Sequence, residues 1–314
     1  PISECIRAMS KTFEALYAQQ TKLPQRLCTP LFNSANQLLT MPGALANPAV
    51  VGVKTLTLYP SNPERSLPAI QGFITLFDAD TGSPIALIDA ASITAIRTAA
   101  ASAAATQLLA REEASTLTLI GTGIQAESHL EAILAIRPIK QVFIWGRNAD
   151  KTKALVERLR CKHKMAIEYI ENLQSAVSTA DIICTLTASQ QALIQGQWLK
   201  PGAHLNLVGS HTPEAREVDT DTIKRSRLYV EIKSTALKEA GDIMIPLNNK
   251  DIDESHIIGE IGAVIAGDIQ GRQAPDQITL YKSLGNAAQD LAAAYAVYLE
   301  ASKKGKTQKL LFEP

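Results

Sequence analysis

Leu117-Thr118-Leu119-Ile120 is a short apolar run that passes at once into Gly121-Thr122-Gly123-Ile124-Gln125-Ala126, and residues 126–134 then follow helical spacing. Strand, G-x-G-x-x-A turn and helix in that order narrow the fold more than any other feature. They make the first crossover of a dinucleotide-binding sheet. Gly121 permits the sharp turn, Gly123 lets the main chain approach a pyrophosphate, and Ala126 lets helix and strand pack closely. Amides at the helix N-terminus then face the phosphates.

The alternation continues downstream. Residues 142–145, 166–169, 181–184 and 204–208 read as further strands, 149–160 as a helix and 228–230 as a sixth strand. This spacing predicts an α/β fold with a doubly wound parallel sheet. The second strand selects the cofactor. A site for NAD usually ends that strand in a carboxylate that binds the ribose 2′-hydroxyl. Here it ends in Gly146-Arg147-Asn148, and Arg147 can pair with a 2′-phosphate. NADP is therefore expected, with NAD as the alternative.

The first third differs. Ile2, Cys5, Met9, Phe13 and Leu16 share one helical face. Residues 22–30 break the pattern with two prolines. Residues 50–59 and 70–77 read as strands, and Asp78-Ala79-Asp80-Thr81-Gly82 as a hairpin turn into 84–88. Further turn signals stand at 33–36, Pro42-Gly43 and Asn62-Pro63. A helix plus an antiparallel or mixed sheet is expected. An alanine-rich helix follows from Ser92. Within it Arg97 stands among apolar neighbours and needs an anionic partner or an exposed position. A last helix carries Leu284, Ala288, Leu291, Tyr295 and Tyr298 on one face, and Lys303-Lys304-Gly305-Lys306 reads as a solvated tail.

Composition excludes other classes. Of 314 residues, 46% are hydrophobic and 20% charged, enough for a packed core. Lys plus Arg and Asp plus Glu are each 31, so no global field grips nucleic acid or an anionic membrane. Aromatic residues at 5% argue against a base-stacking platform. No signal peptide is read at the start. No apolar run reaches the roughly 20 residues needed to span a bilayer; residues 85–110 come nearest, interrupted by Asp89 and Arg97. Cys5, Cys28, Cys161 and Cys184 are scattered, as reduced cytoplasmic thiols are. No metal site is expected, and Cys161-Lys162-His163 reads as a solvated loop rather than a ligand pair.

Several stretches together resemble the ornithine cyclodeaminase and mu-crystallin family. They are Val51-Gly52-Val53-Lys54, residues 72–82, residues 87–101 with Thr94-Ala95-Ile96-Arg97-Thr98-Ala99-Ala100-Ala101, Gly121 to Ala126, Val208-Gly209-Ser210, and Lys282-Ser283-Leu284-Gly285. The resemblance implies an NAD(P)-dependent enzyme acting on small α-amino or α-imino acids. It implies a Rossmann domain, 106–286, inserted into a smaller α+β domain for substrate binding and dimerisation, 1–105 with 287–314. It implies a homodimer. Arg26, Lys54 and Arg97 match the family's substrate-binding residues, with Lys54 catalytic. Motif and resemblance together assign the cofactor to Thr98, Gly121, Thr122, Gly123, Ile124, Gln125, Arg147, Asn148, Thr185, Val208, Gly209, Ser210 and His211.

These roles suit an α-imino acid. Guanidinium groups fix its carboxylate by bidentate hydrogen bonds. A partly desolvated lysine beside cations has a lowered pKa and can relay a proton. Two departures from the family pattern matter. Cyclodeaminases carry an aspartate where His211 stands, which favours simple imine reduction, of Δ1-pyrroline-2-carboxylate to L-proline, over ornithine cyclisation. The family also has a strand ahead of its first helix, whereas this chain starts almost inside that helix, so an earlier start is expected. Three functions stay open: imine reductase; cyclodeaminase or amino-acid dehydrogenase; and a non-catalytic NADPH or small-ligand binder like mu-crystallin.

Overall fold

The structure, a computed structural model, describes residues 1–32 and 35–308, with Pro63 described by its backbone alone. The turn expected at 33–36 therefore lies partly outside the described residues. Two compact units divide the chain. The larger comprises Pro1–Tyr17 and Thr98–Gly285, the smaller Ala18–Arg97 and Asn286–Pro314.

The chain opens with α1 (Ile2–Tyr17) and then forms β1 (Thr21–Lys22), β2 (Leu27–Pro30), β3 (Gln37–Ala46), β4 (Ala49–Leu58), β5 (Ile70–Asp78) and β6 (Pro84–Asp89). These strands make one antiparallel sheet in the order β1-β3-β4-β5-β6, with β2 also on β3. Along β4 the inward residues are Val50, Gly52, Lys54 and Leu56, the alternation expected of a strand with one covered face. The hairpin turn at Asp78–Gly82 is present, its Asp78 carboxylate accepting from the Thr81 amide and hydroxyl.

Pro42-Gly43 is not a turn but lies inside β3, directly opposite Gly52 of β4. The reason is packing by the last helix. A Cβ on Gly43 would stand 3.0 Å from the Ala287 Cβ, and one on Gly52 only 2.5 Å from Leu291. The two glycines hollow the sheet so that the helix of residues 287–303 can lie close against it. The segment 22–30, read as a break in the helical pattern, holds the end of β1 and all of β2.

After β6 comes α2 (Ala90–Leu109), and the boundary between the units falls within it, at Arg97/Thr98. That boundary stands a little over two helical turns before the division expected at 105/106. Residues 1–17 also group with the larger unit. There, α1 buries Met9 and Phe13, and the Phe13 ring meets Tyr281 edge-on at 6.1 Å between centroids.

The larger unit continues with β7 (Thr116–Ile120), α3 (Ile124–Leu134), β8 (Gln141–Trp145), α4 (Ala149–His163), β9 (Ala166–Tyr169), α5 (Leu173–Thr179), β10 (Ile182–Thr185) and β11 (His204–Leu207). It then adds α6 (Thr220–Arg225), β12 (Ser226–Val230), α7 (Lys233–Glu239), α8 (Gly241–Asn248), β13 (Ile257–Glu260), α9 (Ile261–Ala266) and β14 (Ile278–Lys282). All eight strands run parallel, in the order β13-β12-β14-β11-β10-β7-β8-β9. Two of them, β13 and β14, exceed the six expected. The direction of winding reverses at β7, between β8 and β10, which opens a crevice at the C-terminal ends of those strands. The chain closes with α10 (Ala287–Lys303), in the smaller unit. Cys161-Lys162-His163 forms the last turn of α4 rather than a loop. No described helix is long and apolar enough to cross a membrane.

Candidate active site

In the larger unit the nucleotide motif has the expected local form. Gly121 adopts φ +129°, and a Cβ there would stand 2.6 Å from the Leu186 carbonyl oxygen. Only glycine serves where the turn after β7 meets the loop after β10. Gly123 caps α3 with no side-chain hydrogen bond, and a Cβ on it would meet nothing within 4 Å. Space therefore stands in front of an uncapped helix N-terminus, the arrangement a pyrophosphate requires. Ala126 is fully buried.

A cavity of about 290 Å³ lies at the crevice, lined by Gly121, Thr122, Trp145, Gly146, Arg147, Asn148 and Lys151 on one side and by residues 186–189 with Leu193 on the other. No carboxylate is among these lining residues. Arg147 and Lys151 supply two cations. Asn148 also caps α4, its side chain accepting from the Lys151 amide at 2.9 Å.

The remaining cofactor candidates fall elsewhere. Ile124 and Gln125 begin α3, and Thr98 is buried in α2. Thr185 is fully buried, its hydroxyl donating to Glu217 at 2.6 Å. Glu217 also accepts from the Thr187 amide and hydroxyl, at 2.8 and 2.7 Å, and from the Gly209 amide at 2.7 Å. One buried carboxylate thereby staples the loops that follow β10 and β11. Burial pushes its pKa up, against the nearby Lys282 ammonium. Val208, Gly209, Ser210 and His211 form the second loop. Lys282 donates to the Ser210 carbonyl at 2.6 Å and to Asp242 at 3.0 Å. His211 is exposed, with Nδ1 3.2 Å from the Gly209 carbonyl.

The smaller unit gathers the substrate candidates. Gly52 and Lys54 share the inward face of β4, so the helix drawn close by Gly43 and Gly52 meets Lys54. The Lys54 ammonium, 2% exposed, donates to Thr94 Oγ1 at 2.7 Å and to Asp290 Oδ1 at 3.0 Å. Arg97, 5% exposed, donates from Nε to the same Oδ1 at 2.8 Å and from Nη1 to Gln289 Oε1 at 3.0 Å. The anionic partner that Arg97 requires is therefore Asp290, on α10.

Burial lowers the Lys54 pKa from 10.5 to about 8; Asp290 opposes that fall, while Arg97 and Arg26 add to it. Arg26, half-buried between β1 and β2, is thus near enough to act on Lys54. Burial alone raises the Asp290 carboxyl, but Arg97 and Lys54 outweigh it and hold the group below its ordinary range. Three cations and one carboxylate leave an excess of two positive charges, a setting for a small carboxylate ligand. A buried amine with a pKa about 8 is protonated at neutral pH yet weak enough to give up its proton.

Sequence reasoning missed Asp290, Gln289, Glu217 and Asp242. A signal for the first two existed: Gln289-Asp290 interrupts a run of alanines and leucine in α10, the anomaly that singled out Arg97.

The chain matches the profile of the ornithine cyclodeaminase/mu-crystallin family over residues 2–305. It is 33% identical over 312 residues to a Bacillus cereus Delta(1)-pyrroline-2-carboxylate reductase, spanning 99% of this chain and 96% of that one. Among solved structures, Thermococcus litoralis Delta(1)-pyrroline-2-carboxylate reductase in complex with NADH and L-proline has a TM-score of 0.95 at 34% identity, covering 99% of this chain and 96% of that one. An archaeal alanine dehydrogenase dimer with bound NAD has a TM-score of 0.92 at 27% identity, covering 100% and 95%. This chain belongs to the ornithine cyclodeaminase/mu-crystallin family.

Proposed function

We propose that this chain reduces small cyclic imino acids with a nicotinamide cofactor, converting Δ1-pyrroline-2-carboxylate to L-proline. The observation that carries this reading is the buried Lys54–Asp290–Arg97 cluster, with its excess positive charge and its amine poised near neutral pH. The named activities of the Bacillus and Thermococcus relatives support it. A reduced nicotinamide, when bound, supplies a hydride to the imine carbon. Arg97, held by Asp290 and Gln289, binds the substrate carboxylate with Arg26. Fixing the carboxylate orients the C=N bond. Lys54 Nζ delivers a proton to the ring nitrogen, which takes the electron pair of the broken π bond. Imine, hydride and proton sum to the secondary amine.

Gly121, Gly123 and the α3 N-terminus are suited to the pyrophosphate. The cavity with Arg147, Lys151 and no lining carboxylate favours a 2′-phosphate, hence NADPH over NADH. Following cofactor oxidation with Δ1-pyrroline-2-carboxylate is expected to give turnover with both, and a higher kcat/KM with NADPH. Ammonia release from ornithine without imine turnover overturns the function; a clear NADH preference removes Arg147 from the site.

The chain acts as a homodimer in this reading. The outward face of the antiparallel sheet exposes Val51, Phe73 and Leu87 at 40%, 46% and 54%, a patch suited to a second copy. The dimer of the related alanine dehydrogenase supports this. Sedimentation is expected to give a dimer for the natural chain and a monomer for Phe73→Glu/Leu87→Glu; a monomeric natural chain refutes it. The four unbridged thiols suit the reducing cytoplasm.

A further inference from the structure

We propose that Asp290 is a positioning residue for the reduction: through the single oxygen Oδ1 it fixes the Lys54 amine and the Arg97 guanidinium together, and its charge keeps that amine protonated. This rests on the imine-reductase reading and adds a residue that does not itself touch the reacting atoms.

The geometry is unusual for a packing residue. Asp290 is fully buried, both cations converge on Oδ1 at 3.0 and 2.8 Å, and Oδ2 is buried with no hydrogen-bond partner. A buried carboxylate is costly, and both of its oxygens are ordinarily satisfied by partners. Here its hydrogen bonds come from the two groups assigned to the chemistry. Four groups from three elements act on or touch Lys54. Thr94 and Arg97 lie on α2, Asp290 on α10, and Arg26 between β1 and β2. Asp290 is the one acid among them. Burial and both arginines drive the amine towards neutrality, and Asp290 opposes all three. Removing its charge lowers the fraction of Lys54 that still carries a proton to donate. Removing its placement frees Arg97 from its anchor at Nε.

The test separates charge from placement. In Asp290→Asn the alkaline limb of kcat/KM is expected to move acidward by about one unit, the usual scale for a carboxylate beside a cation. At pH 9 that is about a tenfold loss. Asp290→Glu keeps the charge but lengthens the arm; its limb is expected to stay in place while kcat/KM falls about tenfold throughout, as misplaced groups cost. NMR titration of Lys54 in lysine labelled at Cε follows the same midpoint without turnover. Failure of the proposed activity therefore leaves this measurement standing. If Asp290→Asn does not fold, Asp290→Glu decides: activity equal to that of the natural chain overturns the positioning role. An Asp290→Asn protein that folds and keeps the natural midpoint by both methods overturns the proposal.

Discussion

Replacement of Lys54 by methionine is expected to lower kcat for cyclic-imine reduction by about 10²–10⁴-fold, the usual worth of a positioned general acid. Methionine keeps the length and apolar body of the side chain, and Asp290 retains Arg97 as its counter-ion, so the fold is expected to survive. Circular dichroism checks that point. The pH dependence supplies the sharper test. The ammonium has an ordinary pKa of 10.5, lowered here to about 8. The protonated form is the donor. Activity is therefore level below that midpoint and falls about tenfold per pH unit above it. The acidward direction follows from burial first and from the two arginines after it. The substrate nitrogen titrates alike in both proteins, so the difference between their profiles belongs to Lys54. A natural enzyme whose rate stays level to pH 10, or a methionine variant with full kcat, excludes Lys54 as the acid.

Local chemistry made the nucleotide half legible. Gly121, Gly123 and Ala126 each answer a short-range demand, and strand-helix alternation repeats within windows of about 30 residues. The hairpin at Asp78–Gly82 was readable for the same reason. What stayed hidden depends on residues distant in sequence. Pro42-Gly43 has the composition of a turn, yet Gly43 is there to admit a helix 244 positions further on. Strand β14 ends in Lys282, a charge that disguises a central strand until Asp242 neutralises it. Arg97 announced that it needed an anion, but the anion lies 193 residues away in α10. The Thr185 hydroxyl donates to Glu217, whose role depends on two loops meeting in space. Pairwise ionic and loop-stapling contacts leave no periodic trace, and so the cations of the site were readable while the carboxylates that arrange them were not.

Those stapling carboxylates set the largest expected effect on stability. Asp242, 1% exposed, accepts from the amides of Glu217 and Val218 at 2.7 and 3.2 Å through Oδ1, and from the Lys282 ammonium through Oδ2. Asp242→Ala orphans two amides and takes the ion-pair partner from a fully buried ammonium, which keeps only its bond to the Ser210 carbonyl. Breaking such a buried pair from one side costs about 3–5 kcal/mol, a large share of a domain's usual 5–15 kcal/mol. Urea unfolding is expected to show that loss as a lower midpoint. The double replacement Asp242→Leu/Lys282→Met is expected to recover part of it, because neither charge is then stranded. Cofactor affinity separates the two halves of the effect. Lys282 holds the Ser210 carbonyl, and Glu217, anchored by Asp242, holds the Gly209 amide and Thr187. The double variant can regain stability but not these tethers, so its NADPH affinity is expected to stay below that of the natural chain. A double variant that recovers stability and cofactor affinity together means that the loops of β10 and β11 hold their shape without this carboxylate network, and that its role is packing alone.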